Sequence, residues 1–292
     1  MRVGLVLGAG GRAGEAFHRG VLRAMDDLGM DARAAEVIAG TSAGALVAAS
    51  LRRSATARPV GEPPLQRRVL TPQRSLLLEL ARRPRQGVNA LLLRPEFMTG
   101  RRDAGFIVEG LRRVHGTAWP AAELWIVAVR RRDGRRVVFD RDGAPTTDVG
   151  SAVAASCAIP AYFAPVEIDG VQYIDGGVHS PTNADLLAGC DLDVVVVSSP
   201  MSVDLGSARA RADLPIRLRF RQFLRGEVWT LRRQGLRIVT IEPDGATLQA
   251  MGLNMMSGRR VDEIEEHAHT HAGRCLRALA SSGVDGAAGP VA

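Results

Sequence analysis

The chain has no lysine: every one of its 38 basic residues is arginine. That usage reflects coding in a GC-rich, bacterial genome and bears on origin, not on chemistry. Cysteine is scarce too. Cys157, Cys190 and Cys275 form an odd, scattered set with neither metal nor redox spacing. This excludes a disulfide framework and favours a reducing, cytoplasmic compartment. Aromatic residues make up only 4% of the chain, too few for base stacking, and with no nucleic-acid motif present no nucleic-acid partner is expected. No apolar run approaches the ~20 residues needed to span a bilayer. The first residues pass straight into a strand-like run, so no secretory leader is expected. There is no internal repeat.

Glycine, in contrast, is abundant, and it concentrates at three places. Val37-Ile38-Ala39 reads as a buried strand and Ala45–Ala49 as a tightly packed helix, with Gly40-Thr41-Ser42-Ala43-Gly44 between them. Gly-x-Ser-x-Gly between strand and helix is the pattern of a nucleophile elbow, which leaves the serine on the tip of a sharp turn at a helix N-terminus. A turn with a capping serine gives the same five letters, so the pattern gains weight only from its company.

The second cluster follows the apolar run Val3–Leu7, a strand buried on both faces. Gly8-Ala9-Gly10-Gly11-Arg12-Ala13-Gly14 leads from it into a helical pattern through Phe17, Val21, Met25 and Leu28. Such a turn offers free backbone N–H groups to an anion. The spacing is one residue too long for a dinucleotide fingerprint, and the next strand ends in Gly40 instead of an acid. The oxyanion of an acyl-transfer intermediate is the more coherent guest. The third cluster is Asp175-Gly176-Gly177, reached from Ala154–Pro160 through a hairpin turned at Asp169-Gly170. A carboxylate flanked by glycines can approach another backbone closely, although an ordinary Asp-Gly turn looks alike.

In order and spacing these pieces resemble the patatin-like phospholipase family over roughly the first two hundred residues. The resemblance implies a three-layer α/β/α fold with a mostly parallel sheet. It also implies lipid acyl-ester hydrolysis by a Ser–Asp dyad without histidine, metal or cofactor. Carried over, Ser42 is the nucleophile and Asp175 the base. Gly8, Gly10 and Gly11 line the oxyanion loop, while Gly40, Thr41, Ala43, Gly44, Gly176 and Gly177 support the two turns. One departure stands out: the family's loop carries a basic residue before its last glycine, where this chain has Ala13, with Arg12 one position earlier. Two other readings remain open. One is a Ser-His-Asp esterase using His18, His115, His179, His267, His269 or His271; the other is a lipid-binding or scaffold protein on the same fold.

The expected layout is one hydrolase domain over 1–282 with a flexible tail at 283–292. Residues 52–118 interrupt the α/β pattern as an inserted cap or lid. From Arg52 to Arg113 the chain holds fourteen arginines against five acids. Leu76–Leu78 and Leu91–Leu93 sit among them, which suits either a lid on an anionic membrane surface or a cap packed on the body. His267 and His271 lie one helical turn apart and read as a solvated helix face in preference to a metal pair. Met251, Met255 and Met256 suit core filling or an acyl pocket.

Overall fold

In the computed structural model, residues 1–53, 57–58, 100–207 and 211–282 are described. The apolar clusters Leu76–Leu78 and Leu91–Leu93 and the tail 283–292 lie outside them.

Alternation along the apolar runs decides the layers. In β1 (Val3–Leu7), Leu5 and Leu7 face one core while Val6 faces another. In β2 (Val37–Thr41), Ile38 faces the first and Val37 and Ala39 the second. A strand that buries both faces must lie inside a sheet covered on both sides. Each fully buried Leu or Ile contributes about 1.5–3 kcal/mol.

The remaining strands are β3 (Ala57–Arg58), β4 (Trp119–Pro120), β5 (Glu123–Arg130), β6 (Arg136–Phe139), β7 (Val166–Ile168), β8 (Val171–Asp175), β9 (Val194–Ser198) and β10 (Arg237–Ile241). Strands β10, β9, β1, β2 and β5 run parallel in that order; β6, β8 and β7 add antiparallel at one end. β3 and β4 form a separate short ribbon. Helices α1 (Gly11–Asp27), α2 (Ala43–Leu51), α3 (Gly105–His115), α4 (Val149–Ser156), α6 (Gly245–Met251) and α7 (Val261–Ser282) contribute to one core, and α5 (Leu214–Arg232) covers the opposite face. The result is the expected three-layer α/β/α fold. Among the described residues no helix is long and apolar enough to cross a membrane.

Both described ends of the arginine-rich segment belong to the body. Arg52 is buried, and its guanidinium donates to the carbonyls of Arg33, Ala35 and Glu123 at 2.6, 2.6 and 3.1 Å. Burial lowers its pKa to about 10. It is an anchor inside the molecule and is not available to a lipid surface. In α3, Ile107 and Leu111 are buried in the main core, where the helix packs on α4.

Candidate active site

Topology brings the two ends of the site together. β2 pairs with β5 as far as Thr41 opposite Val127, and β8 pairs with β5 only from Tyr173 opposite Arg130 to Asp175 opposite Ala128. β6 overlaps both of these stretches of β5, so it must occupy the other edge. β2 and β8 therefore lie end to end along a single edge of β5 and run toward each other. The chain leaves β2 into Ser42 and leaves β8 into Gly176, with Asp175 as the last residue of its strand. Residues far apart in sequence are delivered to one point by sheet register.

Ser42 occupies the tip of the elbow at φ +55° and ψ −120°. A non-glycine residue at positive φ is strained and persists only where its surroundings over-determine it. They do so here. A Cβ on Gly44 would fall on the Leu7 carbonyl oxygen, and one on Gly40 would stand 2.7 Å from the Ala45 Cα. The Gly44 N–H donates to Gly8 O at 3.1 Å, tying the elbow to the glycine loop. The Ser42 N–H donates to Ser156 Oγ at 2.9 Å, and that hydroxyl donates to Val127 O at 2.5 Å. Ser156 thus holds the Ser42 backbone to β5 from the end of α4.

Asp175 is 5% exposed. Its Oδ1 accepts the Gly177 N–H at 2.7 Å, whereas Oδ2 has no hydrogen-bonded donor. Burial pushes the carboxyl up to about 6, against the opposing pull of the Ser42 hydroxyl and the Gly177 amide. The serine thus stands beside the carboxylate close enough to affect it, yet without a formed hydrogen bond of normal geometry. Loose contacts of this kind are common before substrate binds. The Cys157 thiol also neighbours the Ser42 hydroxyl, and burial raises its pKa well above the usual thiol range. It stays protonated and does not compete as a nucleophile.

The glycine loop divides in two. The Gly8 N–H is committed to Ser198 O at 3.0 Å, and the Ala9 N–H to Pro181 O at 2.7 Å. Gly8 is therefore not an oxyanion donor, contrary to the expectation from sequence: β1 continues its pairing with β9 one residue past the strand and uses up that amide. Gly10 and Gly11 have no backbone acceptor for their N–H groups among the described residues, and neither has Arg12. From Ala13 onward the first turn of α1 is occupied, with Ala13 N–H on Met255 O at 3.0 Å and Gly14 N–H on Gly10 O at 2.8 Å. Gly11 has φ +56°, and a Cβ there would lie 2.7 Å from Met255 O and 2.8 Å from Met256 Sδ. Two of the three methionines singled out by sequence thus pack against the loop itself.

The family model for patatin-like phospholipases matches residues 5–188. The chain belongs to the patatin-like phospholipase family. It is 31% identical over 208 residues to uncharacterized NTE family proteins of Mycobacterium bovis and Mycobacterium tuberculosis, covering 71% of this chain and 51% of theirs. The chain thus spans about half the length of these relatives. Among solved structures it aligns with VipD from Legionella pneumophila (TM-score 0.45, 11% identity, 95% of this chain and 67% of that one). It also aligns with the type III effector protein ExoU (TM-score 0.40, 17% identity, 95% and 53%).

For a patatin-like chain the histidines are informative by where they go. His18 is completely buried, with Nε2 2.7 Å from Gly8 O and Nδ1 2.7 Å from Ser198 Oγ. A carbonyl only accepts, so Nε2 carries the proton and the serine hydroxyl donates to Nδ1. Burial lowers its pKa to about 4. His18 is a neutral pin for the glycine loop, with both nitrogens used. His115 bonds Ala49 O, His269 pairs with Asp27, His267 lies 4.0 Å from Glu263, and His271 contacts Asp244 and Arg274. His179 follows the 3-10 turn Gly176–Val178, its N–H on Gly176 O. Sequence reasoning gave no role to Ser156 or Asn183. Ser156 lay within a segment it did single out, but a serine in Ala-Ala-Ser-Cys carries no signal of its partner on β2.

Proposed function

We propose that this chain is a serine hydrolase that cleaves carboxylic esters of lipids through a Ser42–Asp175 dyad and an acyl-enzyme. The observation that carries the reading is the meeting of a strained, elbow-borne serine with a buried carboxylate whose pKa is raised to about 6. A carboxylate with an ordinary pKa near 4 is a weak base for a hydroxyl. Desolvation makes Asp175 more basic and leaves it ionised at neutral pH.

Asp175 takes the Ser42 proton as Oγ attacks the acyl carbonyl. The resulting oxyanion is received by the Gly10 and Gly11 amides, each such donor contributing about 3–4 kcal/mol in other hydrolases. Asp175 returns the proton to the departing alcohol, leaving Ser42 acylated. Water then attacks the acyl-enzyme with Asp175 again as base, releasing the fatty acid and restoring the serine.

The test combines labelling with turnover. A fluorophosphonate should phosphonylate Ser42 Oγ with release of fluoride, and peptide mapping should find the adduct nowhere else; Ser42→Ala should cut ester turnover by at least about a thousandfold. Because the base must be ionised, kcat/KM should fall as pH drops through about 6. An adduct on another serine, or wild-type turnover from Ser42→Ala, would sink the reading. A purely lipid-binding protein would bind ester vesicles without hydrolysis or labelling.

A further inference from the structure

End-to-end strands share no ladder. β2 pairs with β1 and β5, and β8 with β5 and β7, so the two strands are linked through β5 and have no ladder between them; any direct tie between the Ser42 turn and the Asp175 turn falls to other groups. Asn183 spans that gap. It is fully buried at φ +54°, beyond the 3-10 turn Gly176–Val178. Its Nδ2 lies 2.6 Å from Ser180 O, 3.2 Å from Thr41 Oγ1 and 3.5 Å from Gly176 O. Thr41 immediately precedes the serine and Gly176 immediately follows the aspartate. Asn183 Oδ1 accepts from Arg136 Nη1 at 3.3 Å, and Asp185 holds that guanidinium by two bonds of 2.7 and 3.0 Å. Arginine only donates, so it fixes which end of the amide faces it and turns the NH2 toward the three oxygens.

We infer that Asn183 is a positioning residue that sets the separation of the Ser42 hydroxyl from the Asp175 carboxylate by bridging Thr41 to Gly176, its amide oriented by the Arg136–Asp185 pair. The inference rests on the hydrolase reading above. A shift of ~1 Å between reacting groups costs on the order of a hundredfold in rate, which is the scale on which such a brace acts.

A purely local account competes: asparagine tolerates left-handed backbone, and the position needs nothing else. Asn183→Gly separates the two, since glycine keeps the backbone and loses the amide. With a p-nitrophenyl ester as substrate, Asn183→Gly should lower kcat by about a hundredfold while KM moves less than about threefold, and fluorophosphonate labelling of Ser42 should slow in parallel. Thr41→Val, which removes one acceptor only, should cost about tenfold in kcat. The double variant should be no slower than Asn183→Gly alone, because both act through one contact. A folded Asn183→Gly protein with kcat within about threefold of wild type overturns the brace, as does a loss confined to KM. If Asn183→Gly does not fold, Thr41→Val decides: wild-type kcat in that variant overturns the brace. A wild-type protein that neither hydrolyses esters nor takes the label overturns the dyad and the brace together, whereas an active wild type with an active Asn183→Gly removes the brace alone.

Discussion

The glycine loop and the aspartate loop meet over the same few ångströms but are held by opposite means. On the glycine side the work is done by backbone and by one neutral ring. Gly8 N–H and C=O, Gly44 N–H, Ser198 and His18 form a closed set without a formal charge. On the aspartate side the loop rests on ions. Arg136 and Asp185 form a two-bond pair at 17% and 12% side-chain exposure, and Glu227 Oε2 accepts from Thr182 Oγ1 at 2.6 Å and Ala184 N–H at 2.9 Å. Backbones nearly touch on both sides, at Gly44 against Leu7 and at Gly176 against Val127, but only the glycine side is held without formal charge. Charged parts keep direction, and that side must aim a carboxylate.

The largest effect is expected at Gly44. Gly44→Ala would drive a methyl group into the Leu7 carbonyl. A loss above about 4 kcal/mol is expected, seen as failure to fold or a collapse of the melting temperature. On the other side, Arg136→Met should cost about 3 kcal/mol in a denaturant melt, because it removes the guanidinium that offsets Asp185 beside the buried Glu227. Restoration of most of that loss by Asp185→Leu in the same chain would confirm that the charge, not the shape, is what fails.

The two sides should also differ in their response to pH. Asp175 titrates in the folded chain at about 6, above its usual 3.8, so the folded state holds its proton longer than the unfolded one. Stability from this group is highest in acid and falls by roughly 3 kcal/mol as pH rises from about 4 through 6. His18 runs the other way. With a folded pKa of about 4 against 6.5, it stays neutral while the unfolded chain protonates, and its contribution is lost as pH falls from 6.5 toward 4. Asp175→Asn should therefore melt later than wild type at pH 8, show no advantage at pH 4, and weaken as pH falls from 6.5. An Asp175→Asn curve parallel to wild type across that range would contradict the raised carboxyl.

The smallest effect belongs to the serine itself. Ser42→Gly should raise stability by about 1 kcal/mol in chemical denaturation, since glycine accepts φ +55° without strain, while turnover disappears.

Sequence disclosed most where geometry is enforced by the chain's own neighbours. Gly40, Gly44 and the strand-turn-helix around Ser42 could be read because the close approach there forbids side chains, and that prohibition is written in five consecutive letters. β1 and β2 could be read because strands buried on both faces leave continuous apolar runs. What stayed hidden depends on partners far along the chain. The Gly8 amide was misjudged because its acceptor, Ser198 O, lies on β9. His18 looked like a candidate general base because nothing near it in sequence shows that both its nitrogens are taken. Arg52 counted with the arginine-rich segment as part of a lid or packed cap, since composition does not reveal three carbonyls waiting for it. Asn183 offered no pattern at all.

The head-to-head arrangement of β2 and β8 also dictates when the site can exist. Ser42 precedes Asp175 by 133 residues, and the carbonyl that claims the Gly8 amide belongs to Ser198, further along still. An emerging chain therefore carries Ser42 without the Asp175 carboxylate until β8 is made, and without the carbonyl that fixes the glycine loop until β9 is made. Contacts this distant in sequence close late in folding. On the hydrolase reading proposed above, a copy that ends before β9 should turn over no ester.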